Sequence, residues 1–142
     1  MKTTRHGKRS SGMTLVEVMI AVVLFGICIA GIAGVVVVAQ QTNDRARSHY
    51  IAVNIAKNRL ERGRTFGFDQ LSLLAEDKTV VDTNGNPDND GNYRRTTTLA
   101  AVKPNLIEVT VEVEIRNRKT LGFEGENETV KSYYADYVER PD

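Results

Sequence analysis

A single carboxylate stands at the edge of a long greasy stretch. Residues 12–17 read Gly12-Met13-Thr14-Leu15-Val16-Glu17, and the run from Val18 to Ala39 carries no charge. A carboxylate at the centre of a helix in lipid costs about 2.5–3.5 kcal/mol on insertion scales. An acid kept in such a place implies a partner for its charge. Four cations precede it, Lys2, Arg5, Lys8 and Arg9, with no acid before Gly12. Two kinds of chemistry suit this spacing. One is peptide cleavage after Gly12, which would leave the apolar run on the mature chain. The other is ion pairing of Glu17 with an α-amino group such as the one cleavage would expose on Met13, about one helical turn away.

The element that must hold these residues is a membrane-length helix. A bilayer core needs about 20 apolar residues as helix, and Val18–Ala39 is long enough. Cations lie only on its N-terminal side at first, so the positive-inside bias predicts a cytoplasmic N-terminus, one span, and the remainder beyond the membrane. An ordinary secretory signal fits poorly, because its apolar stretch is only about 7–15 residues long. Gly26, Ala30 and Gly34 lie four apart, a small-residue ridge that lets helices approach closely. The lone Cys28 sits in this run, so the rest of the chain has no disulfide.

The helix is expected to continue. Residues 40–64 contain no Pro, and Ala52, Ile55, Ala56 and Leu60 repeat at helical spacing. Gly63 serves as a stop, with cations in the last turn. From Thr14 to Arg62 such a helix would measure about 73 Å.

The basic leader ending in Gly12, the residues Thr14, Leu15 and Val16, and Glu17 as fifth residue after the cut resemble the class III signal of type IV pilins and of type II secretion pseudopilins. The likeness covers residues 1 to about 62 and is loose beyond. It implies cleavage after Gly12 by a membrane prepilin peptidase, N-methylation of Met13, and pairing of Glu17 with the N-terminus of a neighbouring subunit during assembly. Family members usually begin with Phe, so Met13 is a departure, though an apolar one. The stretch Ala52–Glu61 is also similar to minor subunits of that class, as is the absence of a head disulfide.

Beyond Gly63 the sequence predicts a small antiparallel sheet. Thr65–Glu76 is a connector with a short helical turn, its Phe66, Phe68, Leu71, Leu73 and Leu74 available to plug helix against sheet. Strands are expected at Thr79–Asp82, Tyr93–Val102, Leu106–Ile115 and Thr129–Val138. In the third, Ile107, Val109, Val111, Val113 and Ile115 alternate with Glu108, Thr110, Glu112 and Glu114. In the last, Val130, Tyr133, Tyr134, Tyr137 and Val138 are candidate packing residues. The expected organisation is a leader (1–12), a spanning or filament-core helix (13–39), its amphipathic continuation (40–63) and an extracytoplasmic head (64–142). The fold class is α+β, with 3–4 strands packed on the second half of the helix.

Few other functions fit. Asn86, Asp88, Asp90 and Gly91 follow the opening of a calcium loop, but Thr97 stands where the closing acid belongs. A solvated hairpin turn is the expectation, with calcium as the alternative. His6 and His49 join no catalytic grouping, and Glu108, Glu112 and Glu114 read as a solvated strand face. The chain is expected to be no enzyme and to need no cofactor. Its full charge is +1; without the leader, 15 basic and 18 acidic residues leave −3. Nucleic acid is therefore an unlikely partner, reachable only through Arg94-Arg95 or Arg116-Asn117-Arg118-Lys119. Implied partners are other pilins or pseudopilins, the peptidase and the inner membrane. The favoured function is a minor type IV pilin that primes or modifies a pilus. The alternatives are a minor type II pseudopilin and a membrane-anchored module binding DNA or calcium.

Overall fold

The computed structural model describes residues 12–136. Most of the leader, with its cations and His6, lies outside that range, as do Tyr137, Val138 and the polar end of the chain. Two compact units divide at Thr42/Asn43.

Helix α1 runs from Leu15 to Gly63, 49 residues with no Pro to interrupt it. In the first unit all its residues are exposed, and the stretch is long and apolar enough to cross a membrane. In the second unit the helix turns amphipathic. Ala52, Ile55, Ala56 and Leu60 are buried there, the four residues picked out by their spacing. They meet the apolar face of a four-stranded antiparallel meander with order β1-β2-β3-β4. Its strands are β1 (Glu76–Val81), β2 (Tyr93–Lys103), β3 (Leu106–Ile115) and β4 (Glu126–Ala135). A long N-terminal helix with a small antiparallel sheet is the α+β layout the sequence predicts.

Strand alternation sets the core. Val109, Val111, Val113 and Ile115 of β3 point inward beside Tyr93 of β2 and Val81 of β1. The glutamates between them point outward and are engaged rather than idle. Glu108 takes hydrogen bonds from Lys131 and Tyr133, Glu112 one from Asn127, and Glu114 a pair from Arg94.

Three expectations need correction. Phe66 and Leu73 are exposed and plug nothing, whereas Leu71 and Leu74 are buried. The connector at Phe68–Leu74 is a 3₁₀ helix; at three residues per turn only Phe68, Leu71 and Leu74 share a face. Tyr133 is not a packing residue. Adjacent strand residues face opposite sides, so Tyr134 packs against the core while Tyr133 is 60% exposed. Strand β1 begins three residues earlier and β4 three residues earlier than predicted. In β1 the run to Glu76 is hidden by an irregularity between Glu76 and Thr79, where Lys78 takes a left-handed φ of 48°. Gly63 closes the helix as expected, without a left-handed turn. It is needed because a Cβ there would lie 2.7 Å from the Tyr134 hydroxyl.

The β1–β2 connection is built by Asp82. Its Oδ1 accepts the N–H groups of Asn84 and Asn86, both at 2.8 Å, and Gly85 takes φ 83°. These hydrogen bonds, that from Asn86 foremost, hold the Asp82 carboxyl below its ordinary range.

Candidate functional site

The site begins at the first turn of α1. Thr14 precedes the helix and caps it: its Oγ1 accepts the Glu17 N–H at 3.3 Å, and its carbonyl accepts from Glu17 and Val18. A Thr followed three residues later by Glu is the residue pair of a capping box. That signal is contained in the sequence itself, at Thr14 and Glu17. Glu17 is thereby fixed in the first turn, where the helix dipole favours a negative charge. Its carboxylate makes no ion pair or hydrogen bond among the described residues. Gly12 and Met13 lie exposed just before the cap.

The same helix carries Gly26, Ala30 and Gly34. Spaced by four, they share one face. All are exposed, and a Cβ built on Gly26 or Gly34 meets nothing within 4 Å. The ridge is thus open to a neighbouring helix.

The head brings other candidates into different company than their sequence suggested. Arg94 is held by Glu114 at 2.6 and 2.7 Å and lies 4.8 Å above the Phe123 ring. The hydrogen bonds and charge of Glu114 push its guanidinium further up. Arg95 is buried against Glu76. Arg116 also lies over the Phe123 ring, at 5.3 Å, and donates to the Leu121 carbonyl. Arg118 pairs with Asp44 at 2.9 Å. The two basic stretches are therefore largely spent on internal partners, which overturns Arg94-Arg95 as a free cationic patch. His49, which the sequence places in no catalytic grouping, faces Glu128 at 2.7 Å and Glu126 at 3.4 Å on β4.

Asn86, Asp88 and Asp90 sit in the Asp82-capped turn. Asp88 Oδ1 accepts the Asp90 N–H at 3.1 Å, and the Asp88 N–H donates to Val80. Among the described residues no three His, Cys, Asp or Glu side chains come together as a metal-holding group.

Residues 7–33 match the family model described as the prokaryotic N-terminal methylation motif. No curated protein and no solved structure matches the chain. The matched segment spans the Gly12–Met13 bond, the Thr14 cap, Glu17 and most of the apolar run. Residues 7–33 are thus similar to the N-terminal segment of proteins carrying that methylation motif, and the helix they open is long and apolar enough to cross a membrane.

Proposed function

We propose that this chain is a minor type IV pilin, a non-enzymatic subunit that primes or modifies a pilus. In this reading water cleaves the Gly12–Met13 peptide bond in the prepilin peptidase, and the amine freed on Met13 is methylated. The N-terminus is cytoplasmic and the head extracytoplasmic until the subunit leaves the membrane for the filament. Glu17 then meets the amine of a neighbour, and Gly26, Ala30 and Gly34 form the close-packed face. The observation that supports this most is Glu17 itself, fixed in the first turn of a membrane-length helix with its carboxylate unpaired among the described residues. An opposite charge offsets much of the penalty of holding an acid in an apolar bundle. Small exposed residues then allow the close approach.

Mass spectrometry of the N-terminus, from cells with and without the peptidase, tests the processing. The expected mature chain starts at Met13 with one added methyl group. A chain that keeps its leader in peptidase-positive cells rules the reading out. Assembly is tested separately by Glu17→Ala. Cleavage should proceed as in the parent, whereas recovery in sheared filaments should fall at least tenfold, the effect of about 1.4 kcal/mol lost per docking event. Undiminished recovery would remove Glu17 from the assembly step.

A further inference from the structure

Beneath the outer part of α1 the apolar core is interrupted by a polar island. Glu76 opens β1, Arg95 and Thr97 lie on the inward side of β2, and Arg59 reaches in from the helix. Arg95 grips the Glu76 carboxylate through Nε and Nη2 at 2.8 and 3.0 Å, and its Nη1 donates to the Gly85 carbonyl at 3.0 Å. Arg59 Nη2 lies 3.1 Å from the same carboxylate and donates to the Leu74 carbonyl at 3.0 Å. Two guanidiniums share one acid, so the island holds one positive charge in excess. It is well enclosed: the side chains of Arg95, Arg59 and Glu76 are 4%, 14% and 15% exposed. Arg62 is a further cation close enough to act on Arg59.

Two enclosed polar atoms here have no partner among the described residues, Nε of Arg59 and Oγ1 of Thr97. Thr97 is 2% exposed. It stands opposite Glu76 in the β1–β2 register, and directly opposed residues project from the same face of a sheet. The Arg59 Nε–H can only donate, and a threonine hydroxyl can donate or accept. An unpaired buried charge is costly, and so is each orphaned donor. An anionic acceptor within reach of both groups would relieve both penalties, whereas a water molecule would satisfy the donors and leave the charge.

We propose that the Arg59–Glu76–Arg95 island binds a small monovalent inorganic anion of the chloride class, taken up by the Arg59 Nε–H and the Thr97 hydroxyl. Glu76 already occupies the fork of Arg95, so the anion is the second partner of Arg59. A ligand bound by the folded head and not by the unfolded chain raises stability with the logarithm of its concentration.

The test uses the full mature chain in detergent micelles, with head melting followed by tyrosine near-ultraviolet circular dichroism. Chloride is varied from about 5 to about 500 mM, with isethionate holding ionic strength constant; the expected rise in Tm is about 5 °C. Thr97→Val keeps the side-chain shape and removes the hydroxyl. It should lower Tm in chloride and flatten the chloride response. If no anion binds, the same change only deletes an orphaned hydroxyl and raises Tm in every salt, which would overturn the proposal. Bromide-soaked crystals give an independent readout. An anomalous peak within hydrogen-bonding distance of Arg59 Nε and Thr97 Oγ1 is expected, and an ordered water there without bromide signal defeats the idea.

Discussion

Between Leu15 and Thr42 every residue of α1 is exposed, whereas between Ala52 and Gly63 five of its residues are buried. The first stretch is apolar all round and the second on one side only. A helix apolar on all faces finds its solvent in lipid or in other helices; a helix with one apolar stripe is satisfied by one sheet. Their charges differ in the same way. Glu17 finds no partner for its carboxylate among the described residues, while Arg59 receives the carboxylate of Glu76 from its own chain. The first stretch meets no partner for its apolar faces or its acid among the described residues. The outer stretch is completed by residues 76–135.

The sharpest way to break this contrast is to make the outer stretch incomplete as well. Glu76→Gln leaves Arg59 and Arg95 without their acid, and removing one partner of an enclosed ion pair costs about 3–5 kcal/mol. The low end is expected here, about 3 kcal/mol, because the carboxylate is not fully sealed from water. The pH dependence has a definite sign. Burial alone would raise the Glu76 carboxyl, but the hydrogen bond and charge of Arg95, then the charge of Arg59, outweigh it and hold it below its ordinary value. Stability from a lowered carboxyl is fully present above its unfolded value of about 4.3 and is lost as pH falls through the folded value. The parent head should therefore lose Tm on acidification below about pH 4.3, and Glu76→Gln should lose less over the same range. Equal acid slopes in the two proteins would mean the island contributes nothing to folding.

The next effect in size compares two isoleucines on one helix. Ile55 is fully buried among Val81, Tyr93 and the β3 valines, whereas Ile27 is 64% exposed. Ile55→Ala should destabilise the head by about 3 kcal/mol, the transfer and cavity penalty for that truncation. Ile27→Ala should leave head melting within about 0.5 kcal/mol. Comparable losses from both would erase the distinction between the two stretches.

The sequence made this division legible because periodicity is a strong signal over many residues. The uncharged run, the helical spacing of Ala52, Ile55, Ala56 and Leu60, and the alternation of β3 each repeat a rule several times. The misreadings fall where a rule acts once. Nothing in Phe66–Leu74 announces three residues per turn rather than 3.6, so Leu73 was placed inside. The irregular residues before Thr79 hid the first half of β1, and with it Glu76. An acid from one end of a strand, an arginine from the next strand and another from the helix are far apart in sequence. Only the register of β1 on β2 and the seating of α1 bring them together. At the N-terminus the segment that the family model matches is legible as a motif, since its residues are contiguous. The capping role of Thr14 is equally local, but the charge of Glu17 masks it: the same residue is both the lone acid of the run and the third residue after the cap.

The smallest effect concerns two glycines of the same helix. Gly34 has open space around it, so Gly34→Ala should leave the isolated subunit unchanged. Gly63 is confined: an added Cβ would stand 2.7 Å from the Tyr134 hydroxyl and 2.9 Å from Leu74 Cδ1. That hydroxyl donates to the Leu60 carbonyl, one of the last carbonyls of α1, which have no partner within the helix. Gly63→Ala gains up to about 1 kcal/mol of helix propensity and loses about 1–3 kcal/mol by overpacking, so a net loss near 1 kcal/mol is expected in chemical denaturation. Adding Tyr134→Phe removes the atom nearest the new methyl group. The two changes share one contact, so their effects should sum to more than the double variant loses. Strict additivity would mean that Gly63 is required for some reason other than the approach of Tyr134.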